Sequence, residues 1–131
     1  MKEVYDYIKN CGGVFYLATI DNDKPRVRPI GTLEIIEDKL YILTGKSKNV
    51  SKQIEKNNNV EICVSNKENW IRIEAKLIRD DRIEIKKAML DKNPHLRVMY
   101  NEEDDNTEVL YLKDATATIE SFVADKKVIK F

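Results

Sequence analysis

The chain has 131 residues, and its 23 Lys+Arg balance 23 Asp+Glu. That length holds one domain with a real core and is short for two, and the even charge speaks against a protein that grips nucleic acid through overall charge. No apolar run is long enough to span a bilayer, and the start Met1-Lys2-Glu3-Val4 lacks the pattern of a signal peptide. A cytoplasmic protein is therefore expected, with neither membrane nor nucleic acid among its partners. Cys11 and Cys63 belong to no Cys-x-x-Cys pair, which predicts buried, reduced thiols rather than a zinc site or a redox dithiol.

Residues 2–10 place Val4, Tyr7 and Ile8 at helical spacing, and Cys11-Gly12-Gly13 stops that helix. Residues 14–20 read as a strand, and Asp21-Asn22-Asp23 before Lys24-Pro25 turns the chain into a second strand over 26–37. Alternation along the second strand sets Arg26, Arg28, Ile30 and Thr32 on one face and Val27, Pro29, Gly31 and Leu33 on the other. This predicts an Arg28 that points away from the core. Pro29 has no amide hydrogen to donate, so the strand is expected to be unpaired on one side there, leaving backbone against which a planar ligand can lie. Glu37-Asp38-Lys39 signals another turn before a strand over 40–44. Such short turns demand antiparallel pairing.

Past Gly45 a helix begins whose first turn carries Ser47, Lys48 and Asn49; Val50 and Ile54 face inward while Lys52, Glu55 and Lys56 face water. Asn57-Asn58-Asn59 predicts a left-handed cap at its end. Residues 60–65 and 71–77 alternate apolar with polar, and the polar connection between them ends in Trp70, the single Trp. A helix is expected over 82–91, and Asn93-Pro94 opens a second short one. His95 sits in its first turn, but no nucleophile or orienting partner is visible beside it, so it receives no catalytic role. The acidic run 101–106 lacks the ligand pattern of a calcium loop and reads as solvated. Strands over 108–113 and 115–123 are joined at Lys113-Asp114, and the tail 127–131 packs back on the sheet. The expected architecture is mainly β: six to seven antiparallel strands closing into a barrel with short flanking helices.

The chemistry converges on residues 26–59. Free N–H groups and the positive dipole end at the start of the 48–56 helix attract an anion. With Arg28, Lys46, Lys48 and Lys52 they make a phosphate site beside a flat apolar slot, which suits a nucleotide-like cofactor.

Arg28-Pro29-Ile30, the strand ending at Thr44, the Lys48-Asn49 helix start and the following Gln53-Ile54 resemble, in order and spacing, the flavin site of the pyridoxamine 5'-phosphate oxidase-like family, the FMN-binding split barrels. The resemblance implies a split β-barrel that binds FMN at the interface of a homodimer. Carried over residue by residue, it implies that Arg28 binds the FMN phosphate. Pro29, Ile30 and Gly31 would line the isoalloxazine, Leu43 and Thr44 would touch the ring or ribityl chain, and Lys48 and Asn49 would complete the phosphate grip. Lys46, Ser47, Lys52 and Gln53 are secondary candidates. Trp70 falls at a position near the cofactor held mainly by the other subunit, with plain packing as its alternative. The implied activity is that of an FMN-dependent oxidoreductase taking electrons from a nicotinamide donor or a small organic substrate. Because the flavin supplies the chemistry, the lack of a conventional acid/base constellation agrees with it.

The chain also departs from that family. It ends Val123 to Phe131 without the Arg-x-His substrate motif of the true oxidases, so pyridoxamine phosphate oxidation is not expected. Its size is closer to the general-stress and nitroimidazole-resistance-like branches, although no His precedes His95 to match the one those resistance proteins carry near the cofactor. A flavin-binding or storage protein without turnover, and a split barrel holding F420 or haem, are the alternatives. A single His supports haem ligation poorly.

Overall fold

A computed structural model describes residues 1–131. In chain order the elements are α1 (Lys2–Asn10), β1 (Phe15–Asp21), β2 (Lys24–Ile30), β3 (Glu34–Ile36), β4 (Lys39–Gly45), α2 (Asn49–Lys56), β5 (Asn59–Asn66), β6 (Asn69–Asp80), α3 (Ile83–Lys92), a 3₁₀ helix (Pro94–Val98), β7 (Thr107–Ser121) and β8 (Lys127–Lys130). The strands form one sheet in the order β2-β1-β5-β6-β7-β4-β3, with β8 also on β7, and every pairing is antiparallel. The end strands β2 and β3 are not hydrogen-bonded to each other, so the barrel is split. There are eight strands where six to seven are expected from sequence. No helix is long and apolar enough to cross a membrane.

The extra strand arises because 26–37 is not continuous. β2 stops at Ile30, and the chain bends through 31–33 before the short β3–β4 hairpin, whose turn places Glu37 (φ 51°) and Asp38 (φ 60°) in the left-handed region that a two-residue hairpin requires. At the bend Thr32 Oγ1 takes the Leu43 N–H at 3.0 Å, so a side chain replaces a ladder partner. The opposite error occurs at 108–123. The two strands expected there are one, β7, because Asp114 adopts φ 52° in a bulge that shifts the register between Glu74 and Lys76. Short-side-chain Asp tolerates that conformation. The bend lets β7 pair with β4 through its first half and with β8 through its second.

The core follows the alternation. Val4 and Ile8 of α1 join Phe15, Leu17, Leu40, Ile42, Ile62, Ile73 and Leu112 in one buried apolar cluster within the barrel. β4 is buried on both faces: Leu40 and Ile42 look into the barrel, while Tyr41 and Leu43 join Ile85, Met89, Leu90 and Tyr100 under α3. This explains its continuous apolar run. Two local expectations fail. Asn57 is extended (φ −148°, ψ 108°), so the chain leaves α2 directly for β5 rather than through a left-handed cap. Cys63 is exposed, since β5 turns Ile62 and Val64 inward and Cys63 out, while Cys11 is half-buried.

A polar knot locks the start of α3 to the β3–β4 turn. The Tyr41 hydroxyl donates to Asp80 Oδ2 at 2.7 Å, and Arg82 donates to Asp80 Oδ1 and Oδ2 at 3.0 and 2.9 Å and to Glu37 Oε2 at 2.7 Å. The Arg82 hydrogen bonds, helped by Tyr41 and opposed by burial, hold the Asp80 carboxyl down at about 2, whereas burial and then Asp80 push the Tyr41 phenol up to about 12. A carboxyl depressed in the folded state stabilises it above the unfolded value, and that stability drains away as pH falls from roughly 4 towards 2. Asp80→Asn is therefore expected to flatten this part of the acid limb, read as the loss of melting temperature between pH 5 and pH 2.5.

Candidate functional site

Arg28 stands opposite Leu17 in the β1–β2 ladder. Its side chain thus shares the sheet face of the buried Leu17 and Thr19, contrary to the expectation that it points away from the core. Because β2 is an edge strand, as Pro29 predicts, that face opens at its rim, beside α2. There Arg28 Nη1 donates to the Leu17 carbonyl at 3.2 Å and to Thr19 Oγ1 at 2.7 Å, and Nη2 donates to Gln53 Oε1 at 2.7 Å. The Thr19 hydroxyl in turn donates to Gln53 Oε1 at 2.6 Å, closing a ring of neutral acceptors around the guanidinium. Nε–H and one Nη2 hydrogen keep no partner, and no carboxylate pairs with this cation. Burial, and then the charge of Arg26, press its pKa below the usual guanidinium value. It stays charged nonetheless.

The rim opens into a bay of about 860 Å³ between β2 and α2. Arg26, Arg28, Lys48, Lys52 and Lys56 line it, with Asp21 as the one carboxylate, already paired with Arg26 at 3.1 Å. Lys48, Lys52 and Lys56 enter no ion pair. Lys48 is the N-cap of α2, no side chain caps the helix, and its first turn holds no acid. Its leading amides therefore face the bay with their dipole unopposed.

A second, narrower cavity of about 180 Å³ adjoins the bay at Lys48, which lines both. Its walls are Pro29, Ile30, Gly31, Thr32, Leu43 and Thr44 on one side and His95, Leu96, Met99 and Tyr100 on the other. A Cβ at Gly31 would meet nothing within 4 Å, so the backbone there presents a flat, open surface. At Gly45 the reverse holds: a Cβ would lie 3.2 Å from Tyr100 Cε1 and 3.1 Å from Asn106 Nδ2, so this glycine lets the β4 end close against both residues.

Of the residues singled out from sequence, Arg28 and Asn49 line the bay, Pro29, Ile30, Gly31, Leu43 and Thr44 line the slot, and Lys48 joins the two. Lys52 and Gln53 belong to the bay. Lys46 and Ser47 do not: Lys46 pairs with Asp105 at 3.6 Å, and the Ser47 N–H donates to Asn106 Oδ1 at 3.0 Å. The acidic run is accordingly more than a solvated loop. Asp104 accepts the N–H groups of Asn101, Asn106 and Thr107, and although burial opposes it these donors hold its carboxyl at about 2. Asn106 is thereby set against the turn that starts α2. Trp70 lines neither cavity of its own chain; its Nε1 donates to Glu120 Oε2 at 3.0 Å and its ring lies 5.0 Å from Phe122. Sequence reasoning gave no role to His95, Leu96, Met99 or Tyr100. They reach the slot because α3 packs on the outer side of β4, a contact without a local signature.

No protein-family model matches the sequence, and neither does any curated protein. Among solved structures, a haem binding protein from Mycobacterium smegmatis shares the fold at a TM-score of 0.72 and 11% identity, over 94% of this chain and 55% of that one. A pyridoxamine 5'-phosphate oxidase-related, FMN binding protein from Nostoc punctiforme shares it at 0.68 and 14% identity, over 99% and 95%. A NimC/NimA family protein from Clostridium acetobutylicum is 40% identical and superposes at a TM-score of 0.95, over 100% of this chain and 92% of its own. With that identity along its whole length and the split barrel in common, the chain belongs to the NimC/NimA family.

Proposed function

We propose that the chain is an FMN-binding flavoprotein, acting as a homodimeric oxidoreductase that takes electrons from a nicotinamide donor or a small organic substrate. The observation that carries this reading is Arg28: a half-buried cation held only by neutral acceptors, with donors left over, at the mouth of a bay whose lysines are unpaired. Such an arrangement is stabilised by a bound anion, and a phosphate matches the guanidinium fork. The adjoining slot fits the ring of the same ligand, with flat backbone at Pro29 to Gly31 and apolar Leu43 at its side.

FMN held there would supply two-electron redox chemistry. The chain's own residues do the rest. Arg28, Lys48 and the leading amides of α2 hold the phosphate; Pro29, Ile30, Gly31, Leu43 and Thr44 orient the ring and keep water from one of its faces. The slot, at about 180 Å³, is smaller than the roughly 300–1,000 Å³ in which ligands are usually enclosed. A second copy of the chain would cover the open side. The outer face of β1, β2 and β5 supports that association, since Tyr16 and Val27 are 55% and 66% exposed there beside Pro29 and Cys63. Trp70 and Phe122 lie on the continuation of this face and are the aromatic pair proposed to approach the partner's cofactor.

The test is the visible spectrum after adding FMN and desalting, taken together with the mass in solution. Retained flavin bands and twice the 15.3 kDa of one chain are expected. Colour lost on desalting overturns the FMN assignment. Bleaching of retained flavin by NADH or NADPH supports turnover, and flavin that neither donor reduces favours binding without it.

A further inference from the structure

We propose that the far end of the basic bay is a second anion subsite, shaped for the adenosine diphosphate half of a dinucleotide. The inference rests on the flavin reading for its orientation: Arg28 and Lys48 mark the end next to the slot, and Lys52 and Lys56 the end away from it.

Charge is the first argument. A phosphate monoester brings about two negative charges, which Arg28 and Lys48 already balance. Lys52 and Lys56 are then in excess, with no acid paired to either and Asp21 committed to Arg26. Glu55 of the same helix lies outside the bay and pairs with neither lysine, although Lys56 also lines the neighbouring cavity that holds Glu55. Length is the second argument. Lys48 sits at the start of α2, Lys52 one turn on and Lys56 two turns on, so the row runs about 12 Å along the helix at the usual rise per residue. One phosphate covers only part of such a row; two linked phosphates follow it. Room is the third. The bay, at about 860 Å³, is several times the volume of the slot beside it, and its wall offers a polar heterocycle the side-chain amide of Asn22 and the Nδ2 of Asn57, whose Oδ1 is taken by Asn59.

Two ligands share this chemistry. FAD would place its ring in the slot and its adenylate half in the bay; a nicotinamide dinucleotide would lay its diphosphate there while FMN keeps the slot.

Calorimetric titration tests the subsite with ADP as the probe, first on protein stripped of flavin and then on FMN-loaded protein. ADP is expected to bind the stripped protein, and Lys56→Glu is expected to weaken it at least fivefold while leaving the dissociation constant of FMN unchanged. FAD binding at least tenfold tighter than FMN identifies the flavin dinucleotide as the source; ADP and NADPH competing on FMN-loaded protein identify the nicotinamide one. Absence of ADP binding, an unchanged ADP affinity in Lys56→Glu, or binding of an oligo-γ-glutamate in preference to ADP overturns the proposal. The two readings fail separately: ADP bound by a protein that retains no flavin removes the flavin reading alone, and retained FMN with no ADP binding removes the subsite alone.

Discussion

Arg28→Ala is expected to raise the dissociation constant for FMN more than tenfold, which is a loss above about 1.4 kcal/mol. The guanidinium is the one cation of the bay that neutral acceptors alone hold in place: the Leu17 carbonyl, Thr19 Oγ1 and Gln53 Oε1 fix its plane, and its remaining donors have no acceptor within the chain. Charge-assisted, forked hydrogen bonds to phosphate are the strong kind. Arg28→Lys should recover little of the affinity, because an ammonium cannot hold three neutral acceptors and a phosphate in one plane. Fluorescence titration of FMN measures both variants, with the melting temperature of the flavin-free protein as control. Affinity within twofold of the parent in Arg28→Ala would remove the phosphate assignment.

Glu108→Ala is expected to be the most destabilising change near the site. Glu108 is 1% exposed in β7, opposite Thr44 of β4. Its Oε2 forms an ion pair with Arg79 Nε at 2.8 Å, and the buried Ser51 hydroxyl in the first turn of α2 lies 2.9 and 3.0 Å from its two oxygens. Removing it strands Ser51 without a partner and leaves Arg79 with no counterion. Breaking a buried pair costs about 3–5 kcal/mol, and the partial exposure of Arg79 puts this case near 3 kcal/mol. For a chain of this size that is a fall of about 10 °C in melting temperature. Glu108→Gln, which keeps an acceptor for Ser51, should lose less than half as much. Circular dichroism melts of the pair decide the matter: equal melting temperatures for Glu108→Ala and the parent would mean that α2 is held by its apolar face alone.

Several elements were legible because their signals are local. The helical spacing of Val4, Tyr7 and Ile8, the alternation of β5 and β6, and the turn chemistry at Glu37-Asp38 each act within a few residues. Two misreadings share one cause. Gly31-Thr32 interrupts a strand that alternation alone would continue, because Thr32 bonds Leu43 of β4, in line with the β3–β4 pairing, and so draws the chain away from β2. Lys113-Asp114 fails to interrupt one that its composition would break, because β6 keeps its partner on both sides of the bulge. Whether turn-forming residues end a strand depends on the neighbouring strand, which lies far away in sequence.

The clustering of residues around the basic bay was legible in the sequence. Arg28, Lys48, Asn49, Lys52 and Gln53 all fall in the short continuous stretch that runs from β2 through β3 and β4 into α2, so few residues separate them along the chain. The tertiary structure decided what surrounds them. It placed Arg28 on the core-facing side among neutral acceptors, which no residue spacing encodes, since a missing counterion is a property of everything packed nearby. It set Asn106 against the turn that begins α2. It carried His95, Met99 and Tyr100 to the far wall of the slot by seating α3 on β4. Local periodicity specifies which face of an element is apolar; the faces that meet, and the residues that gather at their edges, are settled by long-range packing.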